Sequence, residues 1–520
     1  MILLHPVVSV VDSLGTIRET PRLMKKLSPQ QAAAVATVAN STHNIILSAV
    51  AGAGKTSTLI SMLRATNGSV AFCAFNKAIS NEIATKIEPL GLSNVKVGTL
   101  HSFGFGAIRR AISRVKVDGN KLRNLAMDNF NGEYEILRPF VTSAVSMAKE
   151  VGIGAVLEND YDNWLNMLEN YGIWDLLPNG YTHERGIDAA QWLLRESNQI
   201  KNIVDFSDMI YMPVLHKMKF WQYDYVMLDE AQDTNGPRRE LVKMMLKPQG
   251  RLIAVGDPHQ AIYAFTGANS DSLDIIKREF NAKELPLTVT FRCPKAIVKV
   301  ANQWVNHIEA HESAPEGVVD SCEMGDIAKL ASKDDAIICR LTKPLVEMAY
   351  SLIRQNVACR VEGRSIGEGL IKLAQRWKSV KNVGELAIKL NQWAENEMEK
   401  HKKKGNDSRC QVIEDQVKTL EVFMSECDDS DSIATLTTHI RGLFGDTKEG
   451  EVQQVLTLST IHRSKGREWN RVFALGMSTY SPSKWAVKAW EVEQEDNLCY
   501  VQVTRAKQHL TLVNVPANVA

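Results

Sequence analysis

Residues Ala49 to Thr56, Ala-Val-Ala-Gly-Ala-Gly-Lys-Thr, follow the apolar run Ile45 to Leu47 and precede a second one. A strand that feeds a glycine-rich loop into a helix turns backbone N–H groups and the helix N-terminus toward an anion. Gly52 and Gly54 let the backbone come close to phosphates, with Ala53 between them in the binding loop. Lys55 places a point charge at the β and γ phosphates, and the Thr56 hydroxyl, beside Ser57, suits Mg²⁺. The usual loop of this kind starts with glycine where Ala49 stands, and a glycine turn between strand and helix can also be purely structural.

Two other apolar runs end in groups that such a loop needs. Asp229 and Glu230 close "YVMLDE": the aspartate can hold Mg²⁺ through water and the glutamate can polarise a water for in-line attack, although a helix N-cap also explains the pair. Asp257 and Gln260 close "RLIAVGDPHQ", where a glutamine can sense the γ-phosphate. Tyr263 and Phe265, two apart, offer faces on which bases stack, and two aromatics alone are as readily core.

These groups need a sheet whose strands end on one side. Short β-rich runs that each end in a polar cluster, "NIILSA", "VAFCAFNK", "VKVGTLHS", "YDYVMLDEAQD", "RLIAVGDPHQ" and "LPLTVTFR", alternate with helical stretches and predict a parallel sheet wrapped by helices. A second series, "DAIICR", "VLTLSTIHRSKG", "RVFALGM" and "HLTLVNV", predicts a second α/β lobe. The expected divisions are 1–102 and 205–282 for the first lobe, 283–370 and 446–520 for the second, with helical insertions at 103–204 and 371–445. The charge run "ENEMEKHKKKGNDSR" reads as a solvated helix end and turn.

At 520 residues the chain is too long for one core. Its net charge of +1 announces no global affinity for nucleic acid, so any such binding must come from a local groove. The eight cysteines show no metal-ligand spacing and read as buried thiols in a reducing compartment. "MILLHPVVSVVDSLG" lacks a basic leader and no run reaches membrane-spanning length. The expectation is a cytoplasmic protein, with the nucleus left open, and no membrane partner.

Taken in order, these motifs resemble the UvrD/Rep/PcrA family of superfamily-one helicases over nearly the whole chain, and "VGDPHQAIYAF" and "NLCYVQVTRAK" are most similar to the F-box DNA helicase branch and its phage or bacterial relatives. The resemblance implies two RecA-like P-loop motor lobes with parallel sheets, each interrupted by a mainly helical insertion. It implies ATP and Mg²⁺ as cofactors, and 3′-to-5′ movement on DNA in repair, replication or recombination. Expected partners are single-stranded and tailed or forked duplex DNA, with protein partners docking through the insertions.

Residue by residue, Gln31 in "LSPQQAAAV" matches the adenine reader, while Phe75, Asn76 and Lys77 in "AFNKAISNEI" and Thr99 and His101 in "GTLHSF" match strand contacts. "VDFSDMI" resembles the re-entry into the first lobe. Phe291 is similar to the ring stacked on adenine, and Arg292 and Arg505 to the two arginine fingers. "TLSTIHRSKGREW" supplies Thr460, His462, Lys465, Gly466 and a ribose contact, Glu468.

Ser57 stands where relatives carry an adenine-sandwiching arginine, and Thr266 where they carry an arginine before Gly267. The expectation is that no nuclease block follows the last motif and that "TRAKQHLTLVNVPANVA" forms one strand rather than a strand-splitting hairpin. Tyr480, Trp485 and Trp490 are the nearest substitute wedge, or packed core. The competing expectations are therefore a helicase, a translocase that strips proteins from single strands and unwinds poorly alone, and a nucleic-acid-gated ATPase switch.

Overall fold

Val70–Ala74 is buried along its whole length, which only a strand covered on both faces achieves, and it sits inside a six-stranded parallel sheet. The computed structural model describes residues 27–263, 271–403, 407–445, 455–484 and 486–515. The first sheet runs in the order Val95–Thr99, Val70–Ala74, Tyr223–Leu228, Leu246–Gly256, Ile45–Ala49, Lys283–Leu287. All neighbours pair parallel. After Ile45–Ala49 the chain crosses over two strand positions that are filled later. The loop ends of Ile45–Ala49, Leu246–Gly256 and Tyr223–Leu228 therefore open side by side at one edge, where parallel sheets bind ligands.

A second parallel sheet of seven strands runs Val318–Glu323, Ala506–Asn514, Trp469–Leu475, Ala336–Cys339, Leu456–Thr460, Cys359–Glu362, Phe444–Gly445. The two sheets give the expected α/β class with two parallel-sheet lobes. Leu47, Leu59 and Val255 of the first sheet unit join Ile297 and then Ile338, Trp469 and Tyr500 of the second in one continuous apolar cluster. The lobes are thus in direct apolar contact below the cleft.

The first insertion has its own core, built on Phe140, Trp164, Leu193 and Tyr211. Its ends are tied by the pairing of Lys116–Val117 with Ile203–Val204. At that base Lys149 Nζ donates to Asp205 at 2.9 Å and to Asp208 at 2.6 Å, and Lys121 Nζ donates to Asp208 at 2.7 Å. All four side chains are buried, and such depth is tolerable because each charge is paired and hydrogen-bonded. Asp205 and Asp208 belong to "VDFSDMI", so the re-entry segment is where the insertion is pinned. The second insertion differs: Leu386, Leu390, Ile413 and Leu420 pack in the same core as Ile337, Leu345 and Leu458, extending the second lobe rather than forming a separate body.

Three expected boundaries shift. The second lobe is expected from 283, whereas Lys283–Leu287 pairs with Ile45–Ala49 and closes the first sheet. The insertion expected from 103 begins inside the helix Leu100–Ala111, whose Leu100 and Phe103 pack under the first sheet while Ala107 and Ile108 enter the insertion core. The insertion expected over 371–445 starts with the helix Arg364–Ala374 and ends by pairing Phe444–Gly445 with Val361–Glu362. The strands Val318–Glu323 and Cys359–Glu362 carry charged and half-exposed residues, so they lack the apolar pattern that marks the others. Among the described residues no helix is long and apolar enough to cross a membrane. The cysteines are all free, and Cys322, Cys359 and Cys427 are only partly buried.

Candidate nucleotide and nucleic-acid site

The loop after Ile45–Ala49 turns through Gly52 at φ +73° and Gly54 at φ +77°, left-handed conformations that glycine adopts without penalty. A Cβ on Gly52 would lie 2.5 Å from both Arg292 Cβ and Thr290 Oγ1, so the close approach of the inter-lobe segment also demands glycine there. The helix Lys55–Leu63 then starts directly behind the loop. Lys55 Nζ donates to Glu230 Oε2 at 2.9 Å, and Thr56 Oγ1 donates to Asp229 Oδ2 at 2.7 Å.

Glu230 itself has φ +52°, a rare backbone for a residue with a side chain, held at the end of the Tyr223–Leu228 strand. Its Oε2 also accepts from Gln232 Nε2 at 2.6 Å; Gln232 Oε1 accepts the Asp257 N–H at 3.0 Å; and Gln260 Nε2 donates to Asp257 Oδ2 at 2.6 Å. A single hydrogen-bonded chain therefore joins the three strand ends. Burial works against the Lys55 charge, but Glu230, Asp257 and Asp229 around it outweigh this and raise its pKa. Burial, and then Glu230, raise the Asp229 pKa, whereas for Glu230 burial is overcome by Lys55 and Lys465, which hold the carboxyl well below its usual range.

The donor set fits a magnesium–nucleotide. The Thr56 and Asp229 oxygens converge, and among the described residues no cluster of three or more His, Cys, Asp and Glu forms a metal cage of its own. Mg²⁺ keeps just this arrangement, one or two protein oxygens with the rest from phosphates and water.

The residues expected at the adenine, the ribose and the γ-phosphate make contacts within the protein. Gln31 is buried, accepts the Ser28 N–H at 3.0 Å and donates to Ala53 O at 3.2 Å, so it braces the phosphate loop. Ser57 is exposed, and Phe291 is 43% exposed with its ring 4.9 Å from that of His311. Arg292 Nε donates to Glu468 Oε2 at 2.6 Å and Nη1 to Thr504 O at 3.3 Å. Arg505 is fully buried, donating to Val501 O at 3.0 Å and Arg467 O at 3.2 Å, and burial followed by Arg292 lowers its pKa to about 10.

Of the residues expected to contact a nucleic-acid strand, the Phe75 and Tyr263 rings stack at 5.9 Å and 10°. Lys465 Nζ lies 4.7 Å over Tyr263 and donates to Asp233 Oδ2 and Gln260 O, each at 2.7 Å. Tyr263 donates its hydroxyl to His462 O at 3.1 Å. Asn76 and Thr99 accept from Ile79 N and Ser102 N, capping the helices that follow them, while Lys77 is exposed. Burial, followed by Arg238, lowers the His101 pKa to about 4; burial, followed by Arg340, lowers that of His462 to about 3. Thr460 is buried at the head of Ile461–Ser464. Phe265 and Thr266, and Trp485 of the substitute wedge, lie outside the described residues; Trp490 is 39% exposed.

Sequence reasoning gave no role to Gln232, Asp233 or Tyr500. Tyr500 is fully buried in the last helix, Ala489–Val503, and its hydroxyl accepts the Ala51 N–H at 2.8 Å, joining the second lobe to the phosphate loop. A buried tyrosine needs a polar partner, and that requirement is the signal that could have singled it out.

Comparison with known proteins matches residues 27–281 to the UvrD/REP helicase N-terminal domain and residues 366–515 to the UvrD-like helicase C-terminal domain. The chain belongs to the UvrD-like helicase family. This helicase is 23% identical over 601 residues to ATP-dependent DNA helicase Rep of Buchnera aphidicola from Acyrthosiphon pisum, covering 89% of the chain and 91% of that relative. It is 24% identical over 550 residues to F-box DNA helicase protein 1 of Schizosaccharomyces pombe, covering 98% of the chain and 59% of that relative's length. ATP-dependent DNA helicase PcrA of Staphylococcus epidermidis is 21% identical over 622 residues, 95% of this helicase and 84% of the relative.

Proposed function

We propose that this helicase is an ATP-dependent DNA motor that moves 3′ to 5′ along a single strand and parts tailed or forked duplexes in the cytoplasm. The observation that carries the reading is Lys465, which touches the nucleotide-side turn at Asp233 and Gln260 and the aromatic pair Phe75 and Tyr263 at once. A change in cleft closure at one end must be felt at the other.

In this reading Lys55 and the loop N–H groups of Gly52 to Gly54 bind the phosphates, and Thr56 and Asp229 hold Mg²⁺. Mg²⁺ held there would supply the positive charge that neutralises the phosphates. Glu230 polarises the attacking water, Gln260 senses the γ-phosphate, and Arg292 and Arg505 stabilise the charge that develops on it. The phosphates replace Glu230 as the partner of Lys55, and Arg292 leaves Glu468, which frees that carboxylate for the ribose. Phe291 stacks on the adenine beside Gln31. Phe75, Asn76, Lys77, Thr99, His101, Tyr263, Phe265, Thr460 and His462 carry the strand by stacking and phosphate contacts.

The test is ATP-driven displacement of a labelled strand from 3′-tailed, 5′-tailed and blunt duplexes with Mg²⁺ present. The 3′-tailed substrate should be displaced first. Preference for the 5′ tail would overturn the direction, and DNA-stimulated hydrolysis without displacement or translocation would make the protein a switch.

A further inference from the structure

Past Thr99 and His101, the helix Leu100–Ala111 lines one side of a groove with Ser102, Phe103 and Arg110. The other side is Lys96 of the edge strand Val95–Thr99 together with Trp221 and Tyr223 at the entry to Tyr223–Leu228. Phe103 meets Tyr223 edge-on at 6.1 Å and makes an aromatic floor. Trp221 is 65% exposed, and the Arg110 guanidinium lies 5.6 Å over its ring.

The charge here is unbalanced. Lys96 and Arg110 of the groove, and Lys219, whose backbone oxygen accepts from Arg110 at 3.5 Å, are exposed, and among the described residues none of them forms an ion pair. Elsewhere on the same lobe surface lysines do pair, as Lys247 does with Asp224 and Lys277 with Glu284. Unpaired cations beside an exposed tryptophan suit a polyanion with planar groups.

We propose that this groove continues the single-strand path, taking a few nucleotides beyond those at Thr99 and His101, with Lys96 and Arg110 on phosphates and Trp221 under a base. The proposal rests on the DNA-motor reading above. Continuity chooses the occupant: Ser102 lines the groove and is also the residue whose N–H is capped by Thr99, so a strand leaving Thr99 enters the groove without a break. From Leu100 to Arg110 the helix rises about 15 Å, long enough for a short run of single-strand phosphates. Stacking on Trp221 needs an unpaired base, which excludes intact duplex as the occupant.

The experiment measures affinity for oligo-dT from about 6 to about 24 nucleotides at fixed salt, by anisotropy of a labelled strand, for the full chain and for the double variant Arg110→Ala, Trp221→Ala. The wild-type protein should gain affinity with length to a plateau. The variant should match it on the shortest oligomers that bind, reach its plateau at a shorter length, and end roughly 10- to 100-fold weaker on the longest. The pair Arg110→Lys, Trp221→Phe should restore most of the gain. Identical length dependence in wild type and double variant would overturn the groove, as would an equal loss at every length, the mark of a damaged lobe. Failure of the wild-type protein to bind any oligomer would instead remove the motor reading, and the groove with it.

Discussion

The Lys465 ammonium lies 2.7 Å from Asp233 Oδ2, and this contact ties the second lobe to the turn that presents Glu230. Both side chains are almost inaccessible, at 6% and 2%. Burial raises the Asp233 pKa, and Lys465 opposes that rise. The pair cannot be stretched gradually: if the cleft opens, a desolvated charge on each side must find another partner or meet water.

Removing one partner of such a pair strands the other and costs about 3 to 5 kcal/mol. Lys465→Met and Asp233→Asn should each lower the urea midpoint, and the double variant should recover part of the loss. A strictly additive cycle would show that the two side chains do not act as a pair.

Lys55→Ala and Glu230→Gln should both abolish ATP turnover, for different reasons. Without Lys55 the phosphates lose their point charge and equilibrium nucleotide binding should fall, whereas Glu230→Gln should still bind nucleotide because only water activation is gone. Equal loss of binding in the two variants would refute the division of roles.

Arg292→Ala and Arg505→Ala should each reduce hydrolysis by roughly 10³-fold or more, the scale of an arginine finger, while most DNA affinity is kept. Arg505 is also a structural donor to Val501 O and Arg467 O, so Arg505→Lys, read by thermal melting alongside turnover, separates the two contributions. Turnover near the wild-type rate in either alanine variant would mean that these arginines do not reach the γ-phosphate.

His101 has a folded pKa of about 4 against an ordinary value of 6.5, lowered by burial and by Arg238. Between those values the unfolded chain binds the extra proton, so stability rises with pH across the window and is lost on acidification from pH 6.5 toward 4. His101→Gln should flatten that part of the stability–pH curve. An unchanged slope in urea titrations across pH 4 to 6.5 would show that other groups, such as His462, carry the acid sensitivity.

By itself the sequence determined the local chemistry and the class of fold. Phosphate loops, strand-end carboxylates and apolar runs are written in residues within a few positions of one another, so the Gly52–Gly54 turn, the Thr56 and Asp229 oxygens and the alternation of strands with helices were all legible. Tertiary structure alone decided which distant segments meet. Lys283–Leu287 joins the first sheet by pairing with Ile45–Ala49, and the backbone hydrogen bonds that do this leave no pattern in either segment's side chains. The same holds for Tyr500 on Ala51, Lys465 on Asp233 and Arg292 on Glu468, each a contact between a residue near the chain's end and one far upstream. Local spacing can encode a period and a cap, but a cleft between two lobes exists only once their shared core has packed.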